Sequence, residues 1–333
     1  MKFVEREDVL EMLNLAWVSQ EHCLLLGPPG TAKTAIVQEF ASAAGASTFH
    51  RLLTQFTTPD EILGPVDLNA LKQGRVERVV DGFLPTAEVV FLDEVFKASS
   101  AILNTLLDAM EYRRLLLAPT QQLSLPLRML VGASNEYPQG GLEAFADRFT
   151  LRTYVGYVSQ SSFLQLLQGQ GTAVHVTSAP QPADPSPTFP LLLQLRQELD
   201  GKISDRRWIK LARLIGWHAA MEGKPFADGT DLLVARWVLW NPESGQEGFQ
   251  KLEAMLYDMA MPEIAQARAL VKEIETAYAD AKTFAEKLQV AARINTAVRA
   301  MERMGKDTVR PYIEQAMTIY NALLEEVKPG AGA

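Results

Sequence analysis

The chain has 333 residues, 47% hydrophobic and 22% charged, with a formal net charge of −8. This is the composition of a globular protein of two or three domains and excludes a largely disordered chain; an acidic total without a Lys/Arg-rich patch argues against a non-specific nucleic-acid binder. The lone Cys23 excludes an intramolecular disulfide and reads as a packing residue in a reducing compartment, while the acidic start (Glu5, Glu7, Asp8) and the lack of a run near ~20 apolar residues point to a cytoplasmic protein without a signal peptide or membrane span.

In chain order, Glu5–Ser19 carries Val9, Met12/Leu13 and Ala16/Trp17 at helical spacing. Cys23–Leu26 reads as a short buried strand, and Lys33–Ala44 as a helix stopped by Gly45. Further strands are expected at Thr48–Leu53, Val89–Leu92, Met129–Ala133 and Thr153–Val158, with a helix over Ser99–Met110. This alternation predicts a parallel sheet covered by helices. Two stretches interrupt it and read as hairpin insertions: Ile62–Phe83 with a turn at Gln73-Gly74, and Arg113–Leu127 with a turn near Ala118–Thr120. Ser178–Pro190 holds five prolines and reads as a linker. Everything beyond it is helical by pattern: Ser204–Ala220, Asp231–Trp240, Pro262–Met304 and Arg310–Val327, before a frayed tail at Pro329–Ala333. In Pro262–Met304, Ala267, Val271, Ile274, Tyr278, Ala281, Ala285, Leu288 and Ala292 follow a heptad-like stripe, giving either one helix of about 60 Å or a broken pair, with Arg310–Val327 returning along it.

The chemistry gathers at the strand ends. Gly27-Pro28-Pro29-Gly30-Thr31-Ala32-Lys33-Thr34 follows an apolar strand and opens a helix, the layout of a phosphate-binding loop. Glycine lets the backbone approach phosphate, Lys33 could reach β/γ-phosphates, and the Thr34 hydroxyl could ligand Mg²⁺. The strict pattern wants glycine at Ala32; a methyl group there is a small intrusion where the helix is already starting. Val89–Leu92 then presents Asp93 and Glu94, the first suited to holding Mg²⁺ and the second to deprotonating water. Met129–Ser134 ends in Asn135, whose amide both donates and accepts and so can position that water. Arg148 and Arg206 offer permanent forked charge for a γ-phosphate; the alternative is simple pairing with neighbours such as Asp147 or Asp205.

Gly27–Thr34, Phe91–Glu94, Ser134-Asn135, Asp147–Phe149 and Ser204–Arg206 stand in the order and spacing of an AAA+ ATPase, which the chain resembles over roughly residues 3–240. The two insertions resemble the helix-2 insert and the pre-sensor-1 hairpin of that superfamily. Gly27–Thr34, Ala133–Glu136 and Ser204–Trp208 look like the MoxR family, specifically its RavA branch, where alanine at position 32 is normal. The resemblance implies an α/β AAA+ core with a parallel five-stranded sheet, an all-α lid and a C-terminal helical extension: residues 1–158, a helix and Pro-rich linker over 159–190, the lid at 191–242, and a helical hairpin or bundle over 243–328. It also implies Lys33 and Thr34 as Walker A residues, Asp93 and Glu94 as Walker B, Asn135 as sensor 1, Arg206 as sensor 2, and Arg148 as an arginine finger reaching a neighbour's ATP in a hexameric ring. The implied function is chaperone-like remodelling or maturation of a protein client with a von Willebrand factor A domain partner. From about residue 245 the chain departs, since only helix is legible where RavA-type chains carry a small β-rich insertion. Two alternatives stand beside this reading. A nucleic-acid motor needs a basic lining around Lys72/Arg75 and Arg113/Arg114. A nucleotide-switched adaptor needs negligible turnover.

Overall fold

The computed structural model describes residues 2–118, 121–138, 142–179, 181–199, 203–304 and 309–327. The turn placed at Pro119-Thr120 and the tail Pro329–Ala333 lie outside the described residues. Within them, the uninterrupted apolar runs become central strands because only a position covered on both faces can bury every side chain. Cys23–Leu26 (β2) and Met129–Ser134 (β7) are buried at every position. Val89–Asp93 (β4) is buried until its terminal aspartate, and each buried Leu or Val contributes about 2 kcal/mol of transfer free energy. With Thr48–Leu52 (β3) and Leu151–Tyr154 (β8) they form a five-stranded sheet ordered β3-β4-β7-β2-β8. All four pairings are parallel, with Leu26 opposite Ser134 and Tyr154. The last strand begins and ends earlier than the expected Thr153–Val158. Glu7–Ser19 (α1), Lys33–Ala43 (α2) and Ser100–Tyr112 (α5) flank the sheet.

One insertion is a hairpin: Arg114–Ala118 (β5) pairs antiparallel with Gln121–Ser124 (β6). The other is not. Between Pro59–Leu63 (α3) and β4, the pairing among the described residues is an isolated Val66–Arg78 bridge, and Leu68–Lys72 (α4) lies inside it. The Asp67 side chain accepts from the Asn69 and Ala70 amides and so starts that helix, making Gln73-Gly74 a helix end rather than a strand turn. A two-residue strand, Lys2–Phe3 (β1), pairs with Thr172–Ala173 (β9) and was too short to read from pattern.

Glu143–Ala146 (α6) precedes β8, and Phe163–Leu167 (α7) follows it. The Pro-rich stretch is packed, not tethered: the Ala183 amide donates to the Gly216 carbonyl, and Asp184 bridges Phe226. Phe189–Glu198 (α8), Asp205–Met221 (α9) and Ala235–Leu239 (α10) build the lid around fully buried Trp237. The His218 ring joins lid to core, with Nδ1 2.6 Å from Asp231 Oδ1 and Nε2 2.8 Å from Glu11 Oε1 on α1. Lys224 contacts the other Asp231 oxygen, and Arg236 reaches Asp8 and Glu11. Burial alone would lower the His218 pKa, but its bonds to Asp231 and Glu11 outweigh it and raise the value to about 9. A raised folded pKa stabilises fully below the unfolded value near 6.5 and loses that contribution as pH rises through about 9. The thermal-stability gap between wild type and His218→Gln is therefore expected to close above pH 9. A gap unchanged from pH 7 to 10 would remove the charged-imidazole account.

The chain divides into two units, Met1–Leu252 and Glu253–Ala333, and Gly245–Ala260 is helical (α11). In the second unit the long helical stretch is broken into Pro262–Asp280 (α12) and Phe284–Met304 (α13). The break is a capping box: Glu286 accepts from the Lys282 and Thr283 amides, and Thr283 Oγ1 accepts from the Glu286 amide. Helix phase resets there. Ala267, Val271 and Ile274 stay in the core, whereas Ala285, Leu288 and Ala292 are exposed and Val290, Ile294, Ala297 and Met301 replace them. Arg310–Val327 (α14) packs on both helices, completing a three-helix bundle.

Candidate functional site

Parallel strands put all their carboxyl ends on one edge of a sheet, and ligands of open α/β sheets bind there. Gly27, Glu94 and Asn135 follow β2, β4 and β7 and so meet at that edge. The loop after β2 needs its glycines. Gly27 has φ +146°, and a Cβ there would sit 2.3 Å from the Val155 carbonyl oxygen; Gly30 has φ +78°. Ala32 is also left-handed, at φ 66°, so the methyl is not the small intrusion the sequence suggests but costs about 1 kcal/mol of backbone strain relative to glycine. Lys33 begins α2 and turns back into the loop, its Nζ donating to the carbonyls of Gly27 and Pro28 at 2.8 Å. Partial burial lowers its pKa, opposed by the charges of Asp93 and Glu94. Thr34 lies beside it in the first turn, half-buried.

Asn135 links both halves of this edge. Its Oδ1 accepts from Lys33 Nζ at 3.3 Å, and its Nδ2 donates to Glu94 Oε1 at 2.6 Å. Glu94 has left-handed backbone (φ 53°), a strained conformation that turns its carboxylate toward Asn135, and its second oxygen lies 3.3 Å from Lys97 Nζ. The Asp93 carboxylate accepts from the Glu94 amide at 3.0 Å. An acidic pair at one strand end, a buried ammonium and a glycine-rich backbone cradle compose a set that suits a nucleotide phosphate with a hard divalent cation.

The two arginines are elsewhere. Arg148 precedes β8, next to Thr150, whose hydroxyl donates to Glu21 just before β2. Arg206 opens α9, and Lys210 one turn later also contacts Glu21. This is the amino edge of the sheet, with Glu21 six residue steps from Gly27 along β2, about 20 Å at the usual strand rise. Arg206 therefore does not share a wall with Lys33 within one chain. Nor do the arginines pair with their sequence neighbours. Asp147 binds Arg152 and Arg207, and Asp205 binds Arg196. Both Arg148 and Arg206 instead meet Glu111, at 3.2 and 2.9 Å, in a cavity of about 250 Å³ that Glu21 and Lys210 also line. Arg207 is committed to Asp147 and the Val238 carbonyl, while Arg206 remains about half exposed, which separates the two adjacent arginines.

Sequence reasoning missed Arg6 and Glu111. Arg6 is buried and donates to the Thr31 and Gly156 carbonyls, fastening the phosphate loop to the segment after β8. Its signal was faint: one cation within Glu5-Arg6-Glu7-Asp8. The basic linings required of a nucleic-acid motor are largely consumed, since Arg75 pairs with Glu77, and Arg113 is turned onto His22 and the Gln20 and Arg128 carbonyls.

A family model described as the MoxR domain in the MoxR-vWA-beta-propeller ternary systems matches residues 1–184. The chain belongs to the MoxR family of AAA+ ATPases. An AAA lid domain model covers residues 187–252 of this MoxR chain. Among its relatives are two uncharacterized proteins of Methanocaldococcus jannaschii. One is 36% identical over 72% of this chain and 68% of its own length, the other 34% identical over 72% and 67%. Chaperone MoxR1 of Mycobacterium tuberculosis is 30% identical over 50% of this chain and 45% of its own. A solved structure from Cytophaga hutchinsonii, described as a candidate ATPase, shares the fold with a TM-score of 0.57 at 18% identity, covering 77% of this chain and 90% of that one. The MoxR chain thus has the α/β AAA+ core, lid and helical C-terminal region expected of it. No helix among the described residues is long and apolar enough to cross a membrane.

Proposed function

We propose that this MoxR protein hydrolyses ATP with Mg²⁺ at the interfaces of a homo-oligomeric, hexameric ring and uses the cycle to remodel a protein client. The observation that carries this reading is the separation of the two charge sets. Lys33, Asn135 and Glu94 lie at the carboxyl edge of the sheet, whereas Arg148 and Arg206 lie at the amino edge. A complete phosphoryl-transfer site then requires the carboxyl edge of one copy and the amino edge of the next. In that site Lys33 and the loop amides hold the β- and γ-phosphates. Thr34 and Asp93 would hold Mg²⁺, which neutralises phosphate charge when bound; their hydroxyl and carboxylate oxygens beside the glycine cradle suit a hard cation. Glu94 takes the proton of the attacking water, Asn135 keeps Glu94 and Lys33 in register, and the neighbour's arginines meet the charge that builds on the transferring group. In this reading Arg206, the sensor 2 residue of the resemblance, acts in trans alongside Arg148.

The matched family description supports a von Willebrand factor A domain protein as partner. With a C-terminal unit built of helices, it also favours the propeller-associated group over the RavA branch. The relationship to a chaperone supports a protein client. Subunit mixing tests the interface. Arg148→Ala is expected to lose ATPase activity by about 10³-fold, as for other trans-arginine sites, Lys33→Ala is expected to be inactive through lost phosphate binding, and the two are expected to regain part of the activity when combined. Silent mixtures at every ratio, or an Arg148→Ala protein with wild-type turnover, would overturn the trans assignment.

A further inference from the structure

Arg148 and Arg206 come from separate elements, a loop before β8 and the first turn of α9, yet they converge on one carboxylate. Glu111, in the last turn of α5, is about one-quarter exposed. Both its oxygens accept from Arg206 Nη2, at 3.0 and 2.9 Å, while Oε2 lies 3.2 Å from Arg148 Nε. The hydrogen bond from Arg206, followed by the nearby charges of Arg206 and Arg148, lowers the Glu111 pKa, so the group is ionised at neutral pH despite its partial burial. Arg206 reaches Glu111 through Nη2 alone, and Arg148 meets it through Nε as an ion pair rather than a hydrogen bond, so Glu111 gathers the two guanidinium groups without hydrogen-bonding across the whole of either fork. Lys210 lines the same cavity and is drawn the other way, to Glu21 Oε2 and Thr150 Oγ1 at 2.8 Å.

We propose that Glu111 is a positioning residue for ATP hydrolysis: it gathers Arg148 and Arg206 into one twin-guanidinium unit presented to the neighbouring subunit's γ-phosphate. This rests on the trans reading of the arginines given above. Two like charges brought close in the free protein repel, and long side chains lose entropy when fixed. A carboxylate between them removes both obstacles before the nucleotide of the next copy is met. The neighbour's phosphate then completes an already assembled site, the preorganisation that makes electrostatic catalysis effective. Glu111 touches no reacting atom in this scheme; its effect passes entirely through the two arginines.

The test is steady-state and single-turnover ATPase measurement on the full chain. Glu111→Gln keeps the shape of the side chain and removes its charge. It is expected to lower kcat by about tenfold with KM for ATP within about twofold, because the arginines act on the transition state rather than on ground-state binding. Glu111→Asp is expected to recover part of the loss. In an Arg148→Ala/Arg206→Ala background, Glu111→Gln is expected to cause no further slowing of single turnover. A merely structural glutamate predicts the reverse: a lowered melting temperature, or an equal further loss without the arginines. Wild-type kcat in Glu111→Gln, or an additive loss in the arginine-less background, overturns the positioning role while Arg148→Ala remains inactive. An active Arg148→Ala protein instead fails the trans reading itself.

Discussion

Glu94→Gln is expected to bind ATP and hardly turn it over. Glutamine fills the same space, and its amide oxygen can still accept from Asn135 Nδ2, which lies 2.6 Å from Glu94 Oε1. What disappears is the only proton acceptor that the proposed mechanism assigns to the attacking water. Loss of a general base costs about 10²–10⁴-fold. The Lys97 pairing is lost as well, but its ammonium is half exposed and lies 3.3 Å away, and a pair screened in this way contributes about 1 kcal/mol, so it does not explain a loss of that size. Phosphate release and nucleotide binding, followed separately, decide the matter. Turnover within a few-fold of wild type would remove Glu94 from the role of base, and loss of ATP binding would make it a binding residue instead.

The second large effect is structural. Gly27→Ala places a methyl carbon 2.3 Å from the Val155 carbonyl oxygen and 3.0 Å from its carbon, both backbone atoms of the segment leaving β8. Neither can yield without opening the β2–β8 pairing, because the Val155 amide itself donates to the Leu26 carbonyl at 2.7 Å. A destabilisation of about 2–4 kcal/mol and loss of nucleotide binding are expected. Gly30→Ala is the control: its φ is also positive, but nothing lies within 4 Å of the added carbon, so only about 1 kcal/mol of backbone strain is expected. Denaturant midpoints for the two variants separate close approach from conformational strain. Equal midpoints would mean that β8 shifts to accommodate the methyl.

The strands and the phosphate-edge residues were legible because their signals are local. Val89–Leu92 is apolar without alternation, as a doubly covered strand must be, and its acidic pair follows directly in sequence. Glu111 was not legible, because its meaning depends on three elements meeting: α5, the loop before β8 and the start of α9. No spacing encodes that. The insertion over Ile62–Phe83 misled for a different reason. Apolar residues on either side of Gln73-Gly74 imitate a hairpin, and the decisive residue was Asp67, a helix cap six positions earlier. The break between α12 and α13 was written in Thr283-Phe284-Ala285-Glu286 as a capping box, but the surrounding heptad stripe ran through it and masked the phase change.

The opposite placement of phosphate loop and arginine cavity has an arithmetical consequence for mixed assemblies. Each interface would take one half of its chemistry from each of two copies. A subunit damaged at only one end silences one interface and serves normally in the other, so total activity falls in direct proportion to its share of a random mixture. A subunit damaged at both ends silences two, and activity falls with the square of the intact fraction. The shape of a dilution curve therefore counts how many faces of the molecule a lesion has reached.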